Sequence, residues 1–198
     1  MPDFITLVLI MLWPVIPIWW IPVHRAKRFV RKLGFSVYLV ALVVWLPVAL
    51  LTYTCKDLIF GFRMNIPVVV SFAGAFLFLF GGFVQLWVAK LLTIRGITGT
   101  MEIRDEAQGE PITRGPFAVV RHPTYLSHGL MLFGTFLWTG IIVAGLIALA
   151  DLAVVSVIII PLEEKELLIR FGESYKSYME KVPGLLPGIK IPTRQKGP

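Results

Sequence analysis

The sequence is poor in charge and in the residues that form disulfides and structural metal sites. Asp, Glu, Lys and Arg make up 16% of its 198 residues, against about 25% in typical soluble proteins. Cys55 is the only cysteine, so an intramolecular disulfide and a cysteine-based zinc site are excluded. His24, His122 and His128 lack the spacing of zinc ligands, and the sequence has no glycine-rich phosphate loop. We therefore expect neither a metal centre nor a nucleotide-binding loop.

Long apolar runs are abundant instead. Hydrophobic residues make up 57% of the chain, a composition typical of integral membrane proteins. Because one membrane span takes about 20 apolar residues, the sequence predicts an all-α, polytopic membrane helix bundle. Its five transmembrane helices are predicted at Phe4–Val23, Gly34–Thr54, Pro67–Leu92, Tyr125–Thr139 and Ile141–Pro161.

The last two predicted spans are separated only by Gly140, which indicates a tight antiparallel hairpin. The first arm, Tyr125–Thr139, is short for a full span unless it tilts or the bilayer thins.

Glu163–Val182 predicts an amphipathic helix, since apolar residues recur at three- and four-residue spacing with Lys and Glu between them. We expect a single domain over residues 1–198, in which residues 1–66 hold two accessory spans and residues 67–192 the functional core.

The distribution of basic residues predicts an orientation. The formal net charge is +7, and the densest basic run, residues 24–32, follows the first span. Cytoplasmic loops carry the excess of Lys and Arg, so the N-terminus is expected outside, and the loop at 94–122 and the C-terminal tail in the cytoplasm.

No Lys or Arg precedes the first apolar run, so we expect a retained membrane helix and not a signal peptide. The basic residues lie beside spans, not among exposed aromatics, so no nucleic-acid partner is expected.

Arg121-His122-Pro123-Thr124-Tyr125 is the first polar cluster that stands out in this apolar chain. Pro123 is suited to the first turn of a helix, which places Arg121 and His122 at a helix N-terminus. A helix N-terminus with Arg and His suits a carboxylate or another anion. The alternative is an interfacial anchor, with Arg snorkelling and Tyr in the aromatic belt.

Glu163-Glu164 is the second cluster, and it follows the last apolar span. Adjacent carboxylates on a helix point about 100° apart, so one of them is able to face the bundle and accept hydrogen bonds from an amine or a ribose. The alternative is a stop signal followed by a solvated face.

Asp151 lies within the last span, where carboxylates are rare and usually paired. His128 and Gln85 are its candidate partners, and a neutral Asp that only packs helices is the alternative.

Both clusters, in this order and separation, resemble the isoprenylcysteine carboxyl methyltransferase family and, more broadly, the membrane phospholipid methyltransferases. The resemblance begins at Pro116-Phe117 and runs through Arg121–Tyr125. It continues from Glu163-Glu164 through Phe171-Gly172, Tyr175 and Tyr178 to Leu186-Pro187. It covers roughly residues 94–192, whereas the first two spans are generic.

The resemblance implies an S-adenosylmethionine-dependent methyltransferase without a Rossmann fold. The cofactor would enter from the cytoplasm and a lipidic acceptor from the membrane. Carried over by position, the resemblance implies a set of cofactor-binding residues: Glu102, Gly109, Glu110, Pro111, Ile112, Phe117, His122, Pro123, Thr124, Tyr125 and Glu163.

The sequence departs from the family at Ile159. In prenylcysteine carboxyl methylation an Arg one helical turn before the Glu pair contacts the substrate, and Ile159 stands at that position here. An apolar residue cannot hold a carboxylate. Ile159 is then a candidate for the side of the acceptor tunnel, and Arg121 is a candidate to replace the missing Arg; otherwise the acceptor is a different lipid.

Direct displacement at a methyl group depends mainly on holding the nucleophile in line at about 3–3.5 Å. A carboxylate acceptor needs no base, whereas an amine or a hydroxyl does. His128, Asp151 and Glu164 are the candidate bases.

Two other functions remain open at this stage. Sterol reductases share a similar five-helix core and an Arg-His-Pro element but bind NADPH. A non-enzymatic membrane protein that retained the fold would bind no cofactor. The Phe171-Gly172 and paired-Tyr tail favours methyl transfer.

Overall fold

The computed structural model describes residues 1–97 and 110–189, and the regular elements in these ranges are helices, as predicted. A 3-10 turn covers Gly115–Ala118 and a π-helical turn covers Val155–Ile159. The α-helices are α1 Pro2–Leu12, α2 Val15–Arg25, α3 Lys27–Leu33, α4 Ser36–Thr54, α5 Lys56–Gly61, α6 Val68–Ile97, α7 Pro123–Thr139, α8 Ile142–Val154, α9 Ile160–Phe171 and α10 Glu173–Lys181.

Four helical stretches in the described ranges are long and apolar enough to cross a membrane, judged by length and composition. They are Pro2–Arg25, Ser36–Thr54, Val68–Leu92 and Ile142–Phe171. The remaining predicted span corresponds to α7, which has 17 residues. At 1.5 Å per residue this is about 25 Å, less than the hydrocarbon core of about 30 Å. Five spans, the membrane hairpin and the orientation therefore stay predictions.

The last long helical stretch runs past Pro161, where the sequence predicts that the span ends. The π-helical turn Val155–Ile159 comes just before it, so the regular i→i−4 bonding has already changed where Pro161 lacks its N–H. The predicted amphipathic helix is divided at Gly172, whose φ is +56°. Its first half, α9, continues the span, and only α10 forms a separate helix.

Helices α6 and α7 make the closest packing in the described core. A Cβ added to Gly74 would lie 2.7 Å from the carbonyl oxygen of Gly134. One turn before Gly74, the Ser71 hydroxyl donates to the carbonyl of Trp138 at 2.7 Å. Small residues and hydroxyl-to-backbone bonds are the usual means of holding helices together where lipid removes the hydrophobic driving force.

Contacts between distant residues define the two ends of the bundle. At one end Arg63 pairs with Asp3 at 2.9 Å, and the N–H of Met64 donates to the carbonyl of Gly140 at 2.8 Å. At the other end His24, in the last turn of α2, lies 2.7 Å from Glu166 of α9. The second end is also where α7 begins, so it collects both polar clusters.

Candidate active site

Arg121 joins the start of α7 to the C-terminal part of the chain. Its Nε and Nη2 donate to Glu164 Oε1 at 2.9 and 2.5 Å, and its Nη1 donates to the carbonyls of Met179 and Val182 at 3.1 and 2.5 Å. The Arg121 and Glu164 side chains are each 7% exposed. All three guanidinium nitrogens therefore have protein acceptors, so Arg121 holds α9 and the end of α10 together.

The backbone strengthens the same junction. The N–H groups of Arg121 and His122 donate to the carbonyls of Pro183 and Gly184 at 2.9 and 3.1 Å. The chain after α10 consequently lies along the start of α7. This explains why the tail motif and the Arg-His-Pro motif, about sixty residues apart, belong to one site.

His122 faces both carboxylates of the Glu pair. Its Nε2 lies 3.1 Å from Glu164 Oε1 and its Nδ1 3.5 Å from Glu163 Oε2, and its side chain is 2% exposed. Burial alone would lower the pKa of His122, but the hydrogen bonds and negative charges of Glu163 and Glu164 outweigh it and raise the pKa to about 9. His122 is therefore an imidazolium at neutral pH, held between two carboxylates.

Glu163 has one oxygen that receives no hydrogen bond within the described residues. This atom, Oε2, is buried and faces His122 Nδ1 as an ion pair at 3.5 Å, although the side chain as a whole is 25% exposed. Buried polar atoms are nearly always satisfied by protein, water or ligand. Glu163 is therefore the carboxylate of the pair that is available to a ligand, whereas Glu164 is occupied by Arg121 and His122.

Aromatic side chains surround this network. Tyr125 stacks on His122 with ring centroids 5.9 Å apart. Tyr178 donates its hydroxyl to the carbonyl of Phe117 at 2.5 Å, and burial raises the pKa of Tyr178 to about 12. Tyr175 is buried, and its hydroxyl has no hydrogen-bond partner among the described residues. Burial, then the charges of Glu164 and Glu163, raise the pKa of Tyr175 above its ordinary value, so it stays a neutral hydroxyl.

The other predicted cofactor residues fall in different places. Pro123 is buried at the start of α7, and Thr124 follows it half-buried. Glu110 is exposed, and Pro111 and Ile112 are half-buried on the stretch leading to the 3-10 turn. Two more predicted residues, Glu102 and Gly109, lie outside the described residues. The binding roles of all of them stay predictions.

His128 and Asp151 form a separate polar pair further along α7 and α8. Their side chains approach to 3.5 Å, between Nδ1 and Oδ1. Asp151 also accepts a hydrogen bond from Trp13 Nε1 at 2.9 Å, a partner that the sequence did not suggest. The other candidate partner, Gln85, instead accepts a hydrogen bond from Ser127. Asp151 thus ties α1 to α8, which is a packing role, and its role as a base stays a prediction.

Ile159 is the last residue of the π-helical turn and is fully buried. It clusters with Tyr125 and Val155, and Ile16 and Trp20 of α2 pack against this cluster. Ile159 therefore borders Tyr125 of the site, on the side covered by the N-terminal helices. Its predicted role beside an acceptor tunnel is not tested by these contacts.

A surface pocket of about 310 Å³ lies beside the network. It is lined by residues that include Thr113, Ser174, Ser177, Tyr178 and Lys181. Tyr178 and Val182, which both line it, also contact the candidate site, through the carbonyl of Phe117 and the guanidinium of Arg121. Glu163 is not among the residues that line it.

Comparison with known proteins gives one result. A family model for phospholipid methyltransferase matches residues 69–174. The matched stretch contains α7, the His122–Glu164 network and Glu163, and it stops within α10 before Tyr175. No curated protein and no solved structure matches the chain.

Proposed function

Since the family model covers more than half of its residues, the chain belongs to the phospholipid methyltransferase family, and we propose that it transfers a methyl group from S-adenosylmethionine to a membrane-embedded lipidic acceptor. Isoprenylcysteine-like carboxylates and other lipids are the acceptors to be compared. The observation that supports this most is Glu163 Oε2, which is ion-paired with His122 at 3.5 Å but receives no hydrogen bond within the described residues.

The residues at this site fit the groups of the cofactor. Glu163 Oε2, which receives no hydrogen bond within the described residues, is able to accept one from an amine or a ribose hydroxyl. The N-terminus of α7, which begins at Pro123, suits a carboxylate. The rings of Phe117 and Tyr125 suit adenine or a sulfonium, for which cation–π contact gives about 0.5–2 kcal/mol. When bound, the cofactor supplies an electrophilic methyl group on positively charged sulfur.

Each protein group then has a defined task. His122 is charged and ion-paired with both carboxylates, so it orients Glu163 and does not itself need to touch the ligand. Arg121 keeps Glu164 in place and fastens the tail over the start of α7. The buried aromatic rings keep water away, which a displacement at carbon between an acceptor and a sulfonium requires.

Calorimetry with S-adenosylhomocysteine tests this proposal. Glu163→Gln should weaken binding about tenfold or more, because a hydrogen bond to a charged acceptor is worth about 1.5–3 kcal/mol. Glu173→Gln is the matched control, since Glu173 is 88% exposed and contacts only Lys176 among the contacts described here. Tight binding of NADPH without binding of S-adenosylhomocysteine would support a reductase and overturn the proposal.

A further inference from the structure

The short helix α3 presents an exposed basic surface. It joins the first membrane-length stretch to the second, so it lies at a surface of the membrane. Arg28, Arg31 and Lys32 are exposed on it. The chain contains no Asp or Glu between residues 4 and 56. These two stretches and the helix that joins them therefore supply no carboxylate to neutralise the basic residues.

The apolar side of α3 is packed into the protein, so its basic residues are held on a fixed surface. Val30 is 2% exposed and clusters with buried residues of α2 and α4, and Leu33 packs against the same cluster. Residues three or four apart lie on the same side of a helix. Val30 and Leu33 therefore form the buried side, whereas Arg28 and Lys32 share another. Among the described residues, neither Arg28 nor Lys32 has an ion-pair partner.

An exposed phenylalanine accompanies these charges. Phe29 is 61% exposed and lies outside both membrane-length stretches. Basic residues combined with an exposed Phe, Trp or Leu are typical of helices that lie between the headgroups and the acyl chains of a membrane. The orientation of a membrane protein depends on the basic residues alone. Orientation therefore explains the charges, but it explains neither the packed helix nor the exposed Phe29.

Contacts through α2 connect α3 with the candidate site. Trp20 packs against the cluster that contains Val30, and it stacks on His24 with ring centroids 5.4 Å apart. His24 in turn lies 2.7 Å from Glu166 of α9. Glu166 follows Glu163 by three residues, so the two carboxylates share a side of α9. A ligand that fixes α3 therefore also restrains the part of α2 that contacts α9.

We propose that α3 is a docking surface for the headgroups of anionic phospholipids. The positive charges of Arg28 and Lys32 complement a negatively charged headgroup. A lipid surface also accommodates Phe29 at the boundary of the acyl chains, which a soluble anion does not. By holding α3, bound anionic lipid stabilises the contact between α2 and α9. The inference concerns lipid that is bound and not methylated, so it does not depend on the proposed methyl transfer.

Native mass spectrometry of the purified protein tests the inference in mixed micelles with equal amounts of phosphatidylglycerol and phosphatidylcholine. Both lipids carry a phosphate, but only phosphatidylglycerol has a net negative charge. The wild type should retain phosphatidylglycerol in preference. The double variant Arg28→Gln/Lys32→Gln should lower that preference about tenfold or more, since each basic residue near an anionic surface contributes on the order of fivefold. Lys176→Gln/Lys181→Gln is the charge-matched control, which removes two positive charges from α10 and should match the wild type.

Thermal unfolding gives a second readout. Phosphatidylglycerol should raise the unfolding temperature of the wild type more than phosphatidylcholine does, because a ligand that binds the folded state stabilises it. High salt should remove this difference, since it screens exposed charges, and the Arg28→Gln/Lys32→Gln variant should not show the difference. A purely structural role of Arg28 and Lys32 would instead lower the unfolding temperature equally in both lipids, which would overturn the inference.

Three further results would also overturn it. The wild type would retain both lipids equally, or the charge-matched control would lose the preference as much as the α3 variant does. Alternatively, an excess of inorganic phosphate or of polyglutamate would displace phosphatidylglycerol and stabilise the protein in its place, so that the occupant is a soluble anion or an acidic protein. Failure of the wild type to bind S-adenosylhomocysteine would overturn only the proposed function, because lipid retention is measured without it.

Discussion

Two positive and two negative side chains form a closed network at the candidate site. Arg121 and the imidazolium of His122 face Glu163 and Glu164, so the charges balance at a site where every side chain except Glu163 is almost fully buried. Removing one member of a buried charge set leaves its partner uncompensated, which costs about 3–5 kcal/mol. The network therefore has to be complete before Glu163 is able to present its free oxygen to a ligand.

The ionisation of His122 predicts how stability depends on pH. Its pKa is raised from 6.5 to about 9 in the folded chain, so the folded state holds the proton more tightly than the unfolded state. The stabilisation is complete below pH 6.5 and is lost as pH rises through about 9. A shift of this size corresponds to on the order of 3 kcal/mol.

Thermal unfolding of the purified protein between pH 6 and pH 10 measures this effect. The wild type should unfold at a clearly higher temperature than His122→Gln near pH 6, and the difference should shrink toward pH 10. A difference between the two proteins that stays constant with pH would contradict the assignment of an imidazolium at His122.

At the scale of helices, close packing of α6 against α7 holds the C-terminal half of α7 in place. Gly74 and Gly134 meet backbone to backbone, and a Cβ on Gly134 would lie 2.8 Å from the carbonyl oxygen of Gly74. The presence of α6 and α7 could be predicted from their apolar runs. The pairing of α6 with α7 could not be predicted from the sequence. A glycine in an apolar run indicates close packing only when the helix that faces it is known.

Gly74→Ala should therefore destabilise the protein, since backbone atoms cannot move aside as a side chain does. We expect a loss of about 1–3 kcal/mol, typical of overpacking, measured as a lower unfolding temperature in detergent. Gly82→Ala on the same helix is the matched control, because a Cβ there meets nothing within 4 Å. If both variants lose equally, the cause is not the α6–α7 contact.

At the scale of the whole molecule, the two ends of the bundle have different chemical characters. His24, His122 and Glu166 lie at one end, next to the basic run of residues 24–32. Cys55 directly follows α4, and the Arg63–Asp3 pair lies at the other end. We propose the arrangement that the basic residues favour: five spans with the α7–α8 hairpin, the N-terminus outside, the C-terminus inside and the candidate site facing the cytoplasm.

The single native cysteine makes this orientation measurable. A maleimide that does not cross membranes should label Cys55 in intact cells, because residues 55–66 would lie outside. In a Cys55→Ser background, Glu173→Cys should be labelled only after the membrane is opened, since α10 would lie in the cytoplasm. Labelling of both positions from the same side would contradict the proposed orientation.

The sequence by itself determined the helical class, the membrane-length apolar stretches and the two polar motifs. These follow from local composition and from the cost of polar groups near lipid, which each segment carries alone. Only the tertiary structure decided that Arg121 donates to Glu164 and to the carbonyls of Met179 and Val182, and that Glu163 Oε2 receives no hydrogen bond within the described residues. It also brought His24 to Glu166 across 142 positions of sequence. The partners of a side chain depend on which helices meet, and the sequence does not specify this. From the sequence alone, the basic run around His24 predicts only a cytoplasmic loop.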